Sequence, residues 1–375
     1  MSAISCKPLR FLHIGDLHIT EPGLQNHIDL SRIVDEANTH LAGRIDFAIL
    51  PGDIADNGLS AQFGLVSREM ARLKAIWHAI PGDHDFEPKS LDNFYMGLRA
   101  RRLPYAEDIG GYWCIFLDVV SRGSGGPDFR LGPKPMRWLR DQLDRVRADG
   151  IPSIVFMHTY PADLKDEAAE MTALLDDSTA VLVDMGHTHY NELSNDGRTI
   201  YAAARSVGQI EEGDVGFALV AVDGSTVSWR FKTLNSPWPF VMITSPADRR
   251  LAIDSVTSQG KVFGARRAMP TVRATAWGAA PIVEAVFSID DGAWQPMQDD
   301  GDGIFSANPA LPNRPITLRV RVTDSYGDQD IDSIEIDARR EPVTPTGSDA
   351  RSIGAWPERH LFGTQLGPNR NGRKW

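Results

Sequence analysis

A chain of 375 residues is long enough for two or three domains and a sizeable buried core. Its 39 basic and 50 acidic residues leave a formal charge of -11, which repels nucleic-acid backbones and anionic membrane surfaces and makes a polyanionic substrate an unfavourable partner. The two cysteines, Cys6 and Cys114, support neither a disulfide framework nor a cysteine metal site, and no run approaches the roughly eighteen apolar residues of a membrane span.

The N-terminus has no basic stretch followed by a long apolar one, so a cytoplasmic protein is expected. From residue 9 to about 235, short apolar runs alternate with helical periodicity, the signature of α/β architecture. Leu9 to Ile14, Phe47 to Leu50, Trp77 to Ile80, Tyr112 to Val119, Ser153 to Met157 and Ala180 to Met185 read as buried strands. Leu30, Ile33, Val34, Ala37 and Leu41 predict an amphipathic helix over 27–41, and Leu139, Leu143 and Val146 mark another. Thr199 to Leu234 reads as consecutive antiparallel strands. Trp77, Trp113 and Trp138 read as core, whereas Trp229 and Trp238 lie where they would glue one domain to the next.

After Pro237 helical periodicity disappears. Short runs rich in Val, Ile and Thr, punctuated by Asp-Gly and Tyr-Gly turns, predict an all-β sandwich over 238–338 behind a first domain of 1–237. The remainder, 339–375, is a tail containing many Pro, Gly, Asn and Arg residues, either disordered or laid along another surface.

The strand-like runs of the first domain end in polar residues of one chemical kind. They give HIGDLH (Asp16, His18), LPGDIADNG (Asp53), IPGDHD (Asp83, His84, Asp85), FMHTYP (His158) and MGHTH (His187, His189). In an open α/β sheet ligands bind beyond the carboxyl ends of the strands, so these residues should converge there. Imidazole and carboxylate suit Mn, Fe or Zn, and so many ligands exceed what one tetrahedral ion needs. Two ions are implied, clamping a phosphoryl oxygen and acidifying a water for in-line attack at phosphorus, with Asp53 centrally placed to bridge them.

In this order the series DLH, GDIADNG, GDHD, MHTYP and GHTH resembles the calcineurin-like metallophosphoesterase superfamily. The resemblance covers about residues 9–235. It is strongest to class III cyclic-nucleotide phosphodiesterases and glycerophosphodiesterases, through GDIADNG, the Trp138-Leu139 helix and GHTHYNEL. It implies a four-layer αββα sandwich with two mixed sheets. It also implies Asp16, His18 and His189 on one metal, Asp83, His158 and His187 on the other, Asp53 bridging, and His84 as the catalytic group acting on the substrate phosphate. Asp85 would orient His84 or serve as a plain turn residue. Arg205 would bind a substrate phosphate or sit in a structural ion pair.

Two departures stand out. The family writes Gly-Asn-His-Asp where this chain has Gly82-Asp83-His84-Asp85, and often places a second His where this chain has Thr159. The added charge of Asp83 should tighten metal binding and weaken the pull on an anionic substrate. The expected activity is hydrolysis of a small-molecule phosphodiester. The alternatives are a phosphomonoesterase or nucleotidase on the same centre, and a metal-bound binding module without turnover. The sandwich resembles immunoglobulin-like modules of bacterial enzymes through VFSIDDGAWQPM and LRVRVTDSYGD, and such modules serve oligomerisation among other roles, so a homo-oligomer is compatible with the sequence.

Overall fold

The computed structural model describes residues 7–254, 271–337 and 352–363. Cys6, part of the sandwich stretch and most of the tail lie outside these residues. The first part of the chain runs β1 (Leu9–His13), α1 (Gln25–Glu36), β2 (Phe47–Leu50), α2 (Ser60–Met70), β3 (Trp77–Ala79), α3 (Asp92–Leu98), β4 (Tyr105–Ile109) and β5 (Tyr112–Phe116). It continues with α4 (Pro133–Arg147), β6 (Ser153–Phe156), α5 (Ala168–Asp176), β7 (Ala180–Met185), β8 (Glu192–Asn195), β9 (Ile200–Ala203), β10 (Gly216–Asp223) and β11 (Thr226–Thr233). The predicted helix over 27–41 is an α-helix only to Glu36. From Ala37 to Leu41 it widens to a π-turn that still buries both end residues. α4 starts on Gly132 with Pro133 in its first turn, where the missing N–H costs nothing, and carries Arg145 and Arg147 in its last turn against the helix dipole.

These strands make two mixed sheets, in the orders β11-β10-β1-β2-β3 and β4-β5-β6-β7-β9-β8. β1, β2 and β3 run parallel, as do β5, β6, β7 and β9. The run from Thr199 is therefore not one antiparallel series. β9 joins the second sheet parallel to β7, and only β10 and β11 form the expected hairpin, on the first sheet. Tyr105–Ile109, unread in the sequence because its polar residues break the apolar run, closes an edge as an antiparallel strand.

Alternation along each strand builds the layers. Phe11, Phe47, Phe116 and Phe156 point between the sheets. Phe11 stacks on Phe47 at 5.0 Å, Phe116 on Phe156 at 4.7 Å, and Phe11 meets Phe156 edge-on at 5.5 Å. Their neighbours Leu12, Ala48, Ile115 and Val155 point outward into a second apolar cluster with α1, α2, α4 and α5. The result is four layers, helix, sheet, sheet and helix, with Cys114 sealed in the middle. Among the described residues no helix is long and apolar enough to cross a membrane.

From Phe240 onward the described strands form two four-stranded antiparallel sheets. The long pair Pro315–Asp324 and Gln329–Asp337 carries alternating burial over a separate apolar core. Their seam with the first part is polar as well as apolar. Trp238 stacks on His40 at 4.2 Å and donates to Glu36, Trp277 donates to the Arg44 carbonyl, and Arg230 pairs with Asp330 at 2.6 Å. Trp77, Trp113 and Trp138 are only partly buried and pack against the outer cluster.

Candidate metal centre

Every strand that carries part of the motif series ends at the same edge. Asp16 and His18 follow β1, Asp53 follows β2, Asp83 and His84 follow β3, His158 follows β6, and His187 and His189 follow β7. Backbone pairing draws the loops together: the His18 amide donates to the Asp53 carbonyl at 2.8 Å, and the Ile19 amide to Ile54 at 3.0 Å.

The side chains form two four-residue groups that share Asp53, with a smaller cluster of His18, Asp56 and His84 beside the first. Asp16, His18, Asp53 and His189 bring ligand atoms within 4.8 Å of one another, and so do Asp53, Asp83, His158 and His187. Within the groups, His158 Nε2 lies 3.4 Å from Asp53 Oδ2 and 3.3 Å from Asp83 Oδ1. His187 Nδ1 is 3.5 Å from Asp83 Oδ1, and His189 Nε2 is 3.6 Å from Asp16 Oδ2. Two atoms on one ion with bonds of about 2.1 Å and tetrahedral angles stand about 3.4 Å apart, so these spacings suit shared cations better than direct hydrogen bonds. Asp16 Oδ1, Asp83 Oδ1 and His158 Nε2 are buried and make no hydrogen bond of good geometry, as atoms waiting for a cation would be. The cluster fits two metal ions.

The imidazoles are set for ligation. His158 Nδ1 lies 2.8 Å from the Pro51 carbonyl, which can only accept, so Nδ1 carries a proton and Nε2 faces inward. Burial lowers its pKa, but Asp53 and Asp83 outweigh burial and raise it well above the usual imidazole range, so a cation at Nε2 would displace a proton there. Burial, reinforced by His18, holds His189 down to about 3 and keeps it neutral. Burial and the charge of Asp53 push Asp83 up, but the imidazoles of His158 and His187 outweigh both and hold it below the usual carboxylate range. Space is as restricted as charge. Gly52 has φ +115°, and a Cβ there would press into the His158 ring; a Cβ at Gly82 would press into Asp53 and stand 2.7 Å from His158 Cε1.

His84 stands apart from both groups. Its Nδ1 lies 2.8 Å from the Asp56 carbonyl, its amide donates to Asp53 Oδ1 at 3.0 Å, and its ring, 26 % exposed, meets His18 edge-on at 4.6 Å. Burial lowers its pKa, but Asp53, the Asp56 carbonyl and Asp83 raise it to about 9. Two cations alongside would act in the opposite sense.

Two expectations need correction. Asp85 does not orient His84. Its carboxylate accepts the Ile54, Ala55 and Gly82 amides at 3.2, 2.8 and 2.9 Å, tying the Asp53 loop to the Asp83 loop. Arg205 is fully buried, with its guanidinium spent on the carbonyls of Glu212, Asp214 and His360, so it has no reach to a substrate; the structural role prevails. Two residues not singled out in the sequence take part. Asp56 Oδ1 lies 3.5 Å and Gln209 Nε2 3.2 Å from His18 Nδ1, orienting that ring from behind. Asp56 sat within the GDIADNG motif and was legible as such; Gln209 had no signal.

Residues 9–191 match the family described as Calcineurin-like phosphoesterase. No curated protein sequence matches the chain. Among solved structures, the chain is similar to a dimetal phosphatase from Danio rerio, with 14% identity and a TM-score of 0.50 over 60% of this chain and 96% of that one. It is also similar to GAP50, the anchor in the inner membrane complex of Plasmodium (15% identity, TM-score 0.47, 68% of this chain and 99% of that one). A third is purple acid phosphatase PPD1 from yellow lupin seeds (11% identity, TM-score 0.46, 62% and 52%). The architecture is the metallophosphoesterase α/β fold with additional C-terminal all-β sheets.

Proposed function

We propose that this chain is a dinuclear metal-dependent hydrolase of phosphoric esters, acting in the cytoplasm on a small-molecule phosphodiester of the cyclic-nucleotide or glycerophosphodiester type. The observation that supports it most is the sharing of Asp53 between two four-residue groups at one sheet edge. Asp16, His18 and His189 would hold one ion, Asp83, His158 and His187 the other, with Asp53 between them. Bound there, Mn, Fe or Zn ions supply Lewis acidity and a water made acidic enough to attack phosphorus near neutral pH. The chain's own residues supply the rest. His84, anchored through Nδ1, presents its remaining ring nitrogen to donate a proton or a hydrogen bond to the leaving oxygen. Asp85 keeps the loops bearing Asp53 and His84 at fixed separation.

The preference for diesters rests on charge. A diester carries one negative charge at neutral pH and a monoester nearly two, so a centre made more anionic by Asp83 repels the monoester more. A monoesterase is the second reading, favoured by the dimetal phosphatase from Danio rerio on the same fold. Hydrolysis of bis(p-nitrophenyl) phosphate beside p-nitrophenyl phosphate, each with Mn²⁺ and with chelator, tests both. Faster, chelator-sensitive diester cleavage is expected. No turnover of either ester with any metal would refute the enzyme and favour a binding module.

A further inference from the structure

The short described piece of the tail, residues 352–363, is anchored on three sides. Ser352 bridges Ser194 on β8, and the Ile353 amide donates to the Leu193 carbonyl at 3.1 Å. Trp356 and Leu361 are buried in the cluster between the two sheets. Arg359, also buried, donates to the Trp229 carbonyl on β11 at 2.7 Å and grips both oxygens of Asp332 at 2.7 and 3.0 Å, on the last strand of the sandwich.

What this piece touches next leads to the metal centre. The His360 carbonyl accepts from Asn191 Nδ2 at 3.0 Å and from the Arg205 guanidinium at 2.8 Å, while Asn191 Oδ1 takes the Arg205 amide at 2.8 Å. Asn191 is two residues beyond His189, which holds a left-handed backbone at φ +62°. Ser206, next to Arg205, donates its amide to the His189 carbonyl at 3.3 Å and its hydroxyl to the Asp16 carbonyl at 2.7 Å. The strained loop is thus bracketed by contacts that end on the tail. They bear most directly on His189 and Asp16, both of one group; in the other, Asp83 and His158 follow β3 and β6, and only His187 shares the loop after β7.

We propose that residues 352–363 are a positioning strap for the group Asp16, His18 and His189, so that this half of the centre depends on a segment about 170 residues further along the chain. The inference rests on the two-metal reading. Asn191 and Arg359 are positioning residues; neither is among the proposed ligands.

Two full-length variants test it. Asn191→Asp keeps the oxygen that takes the Arg205 amide but sets an oxygen against the His360 carbonyl. Trp356→Ala loosens the strap at its apolar anchor. Titration with Mn²⁺ under equilibrium dialysis should find two ions on the wild type. In each variant the ion of the Asp16, His18 and His189 group should be held about 10–100-fold more weakly, the scale expected when a ligand's support is lost, and the other, which keeps Asp53, Asp83 and His158, markedly less so. Hydrogen exchange at 187–191 should quicken, circular dichroism should stay native, and saturating Mn²⁺ should restore diester turnover. Variants that hold both ions at wild-type affinity with unchanged exchange overturn the strap alone. A wild type that takes fewer than two ions overturns the two-metal reading and the strap with it.

Discussion

Gly82→Ala is a one-carbon change that should disable the centre without replacing any ligand. The added Cβ would overlap Asp53 Oδ1 and the Asp53 amide nitrogen and stand 2.7 Å from His158 Cε1, where real Cβ atoms essentially never come within 3.0 Å. The neighbours cannot yield cheaply. The Asp53 loop is pinned by its backbone bonds to His18 and by Asp85, and His158 by the Pro51 carbonyl. Relief therefore requires a shift of about 1 Å in the carboxylate shared by both groups, and a displacement of that size costs on the order of a hundredfold in rate. Overpacking of this kind also destabilises by about 1–3 kcal/mol. Gly64→Ala in α2 is the control: nothing lies within 4 Å of its Cβ, and a helix interior gains about 0.5–1 kcal/mol from the exchange. Metal content by elemental analysis, diester turnover and urea midpoints would be measured on both. Full metal loading and wild-type turnover in Gly82→Ala would refute the claim that this close approach is what sets the Asp53 geometry.

Other substitutions separate the roles further. Asp83→Asn removes a charge at nearly constant shape, so Mn²⁺ affinity should fall while the monoester-to-diester rate ratio rises; if both stay unchanged in titration and paired assays, Asp83 is not a ligand. His84→Ala should leave metal content near normal and lower turnover by roughly a hundredfold or more, and loss of metal in step with activity would make His84 a ligand. His78, on β3 against Tyr105 and Phe116, is lowered to about 4 by burial and then by Arg101. Because the folded state resists protonation, its contribution is full above pH 6.5 and is lost as pH falls towards 4, about 3 kcal/mol in all. The drop in urea stability between pH 7.5 and 4.5 should be smaller by that order in His78→Gln, and equal drops in the two proteins would refute it.

The residue types of the centre were legible because the chemistry allows few of them and each had to follow a strand. Apolar runs ending in Asp or His revealed both the strand and its cargo, and Phe47–Leu50 and Ala180–Met185 match their predicted bounds. What supports those residues was not legible. Asp85 reads as a partner of His84 or a turn carboxylate until three amides from two loops converge on it, and Arg205 as a phosphate binder or half of an ion pair until its surroundings prove to be carbonyls. Both errors have one source: local sequence reports what a side chain can bond to, and only tertiary placement decides which partner it meets. β9 is the same case in backbone, since its composition suits either sheet and its partner β7 comes from the α/β part of the chain.

The backbone leads to the expectation that the centre is built ahead of its ions. His18, Asp53, His187 and His189 all have positive φ, at 42°, 47°, 68° and 62°. Such conformations cost of the order of 1–3 kcal/mol each and persist only where the surroundings over-determine them. Four of the seven proposed ligands share this feature, so chance packing is a poor account of it. Restraints found here differ in origin: Asp85 acts within the loops after β2 and β3, while Ser206, Asn191 and the 352–363 segment act on the loop after β7. A centre held this way does not need the cations to gather its ligands, and cation binding has less ordering left to do. If instead the ions organised the loops, chelation should loosen 16–18, 53–56 and 187–191 together. Hydrogen exchange that stays slow in those loops after chelation, and quickens at 187–191 only when Asn191 or Trp356 is changed, is the result the pre-built arrangement requires.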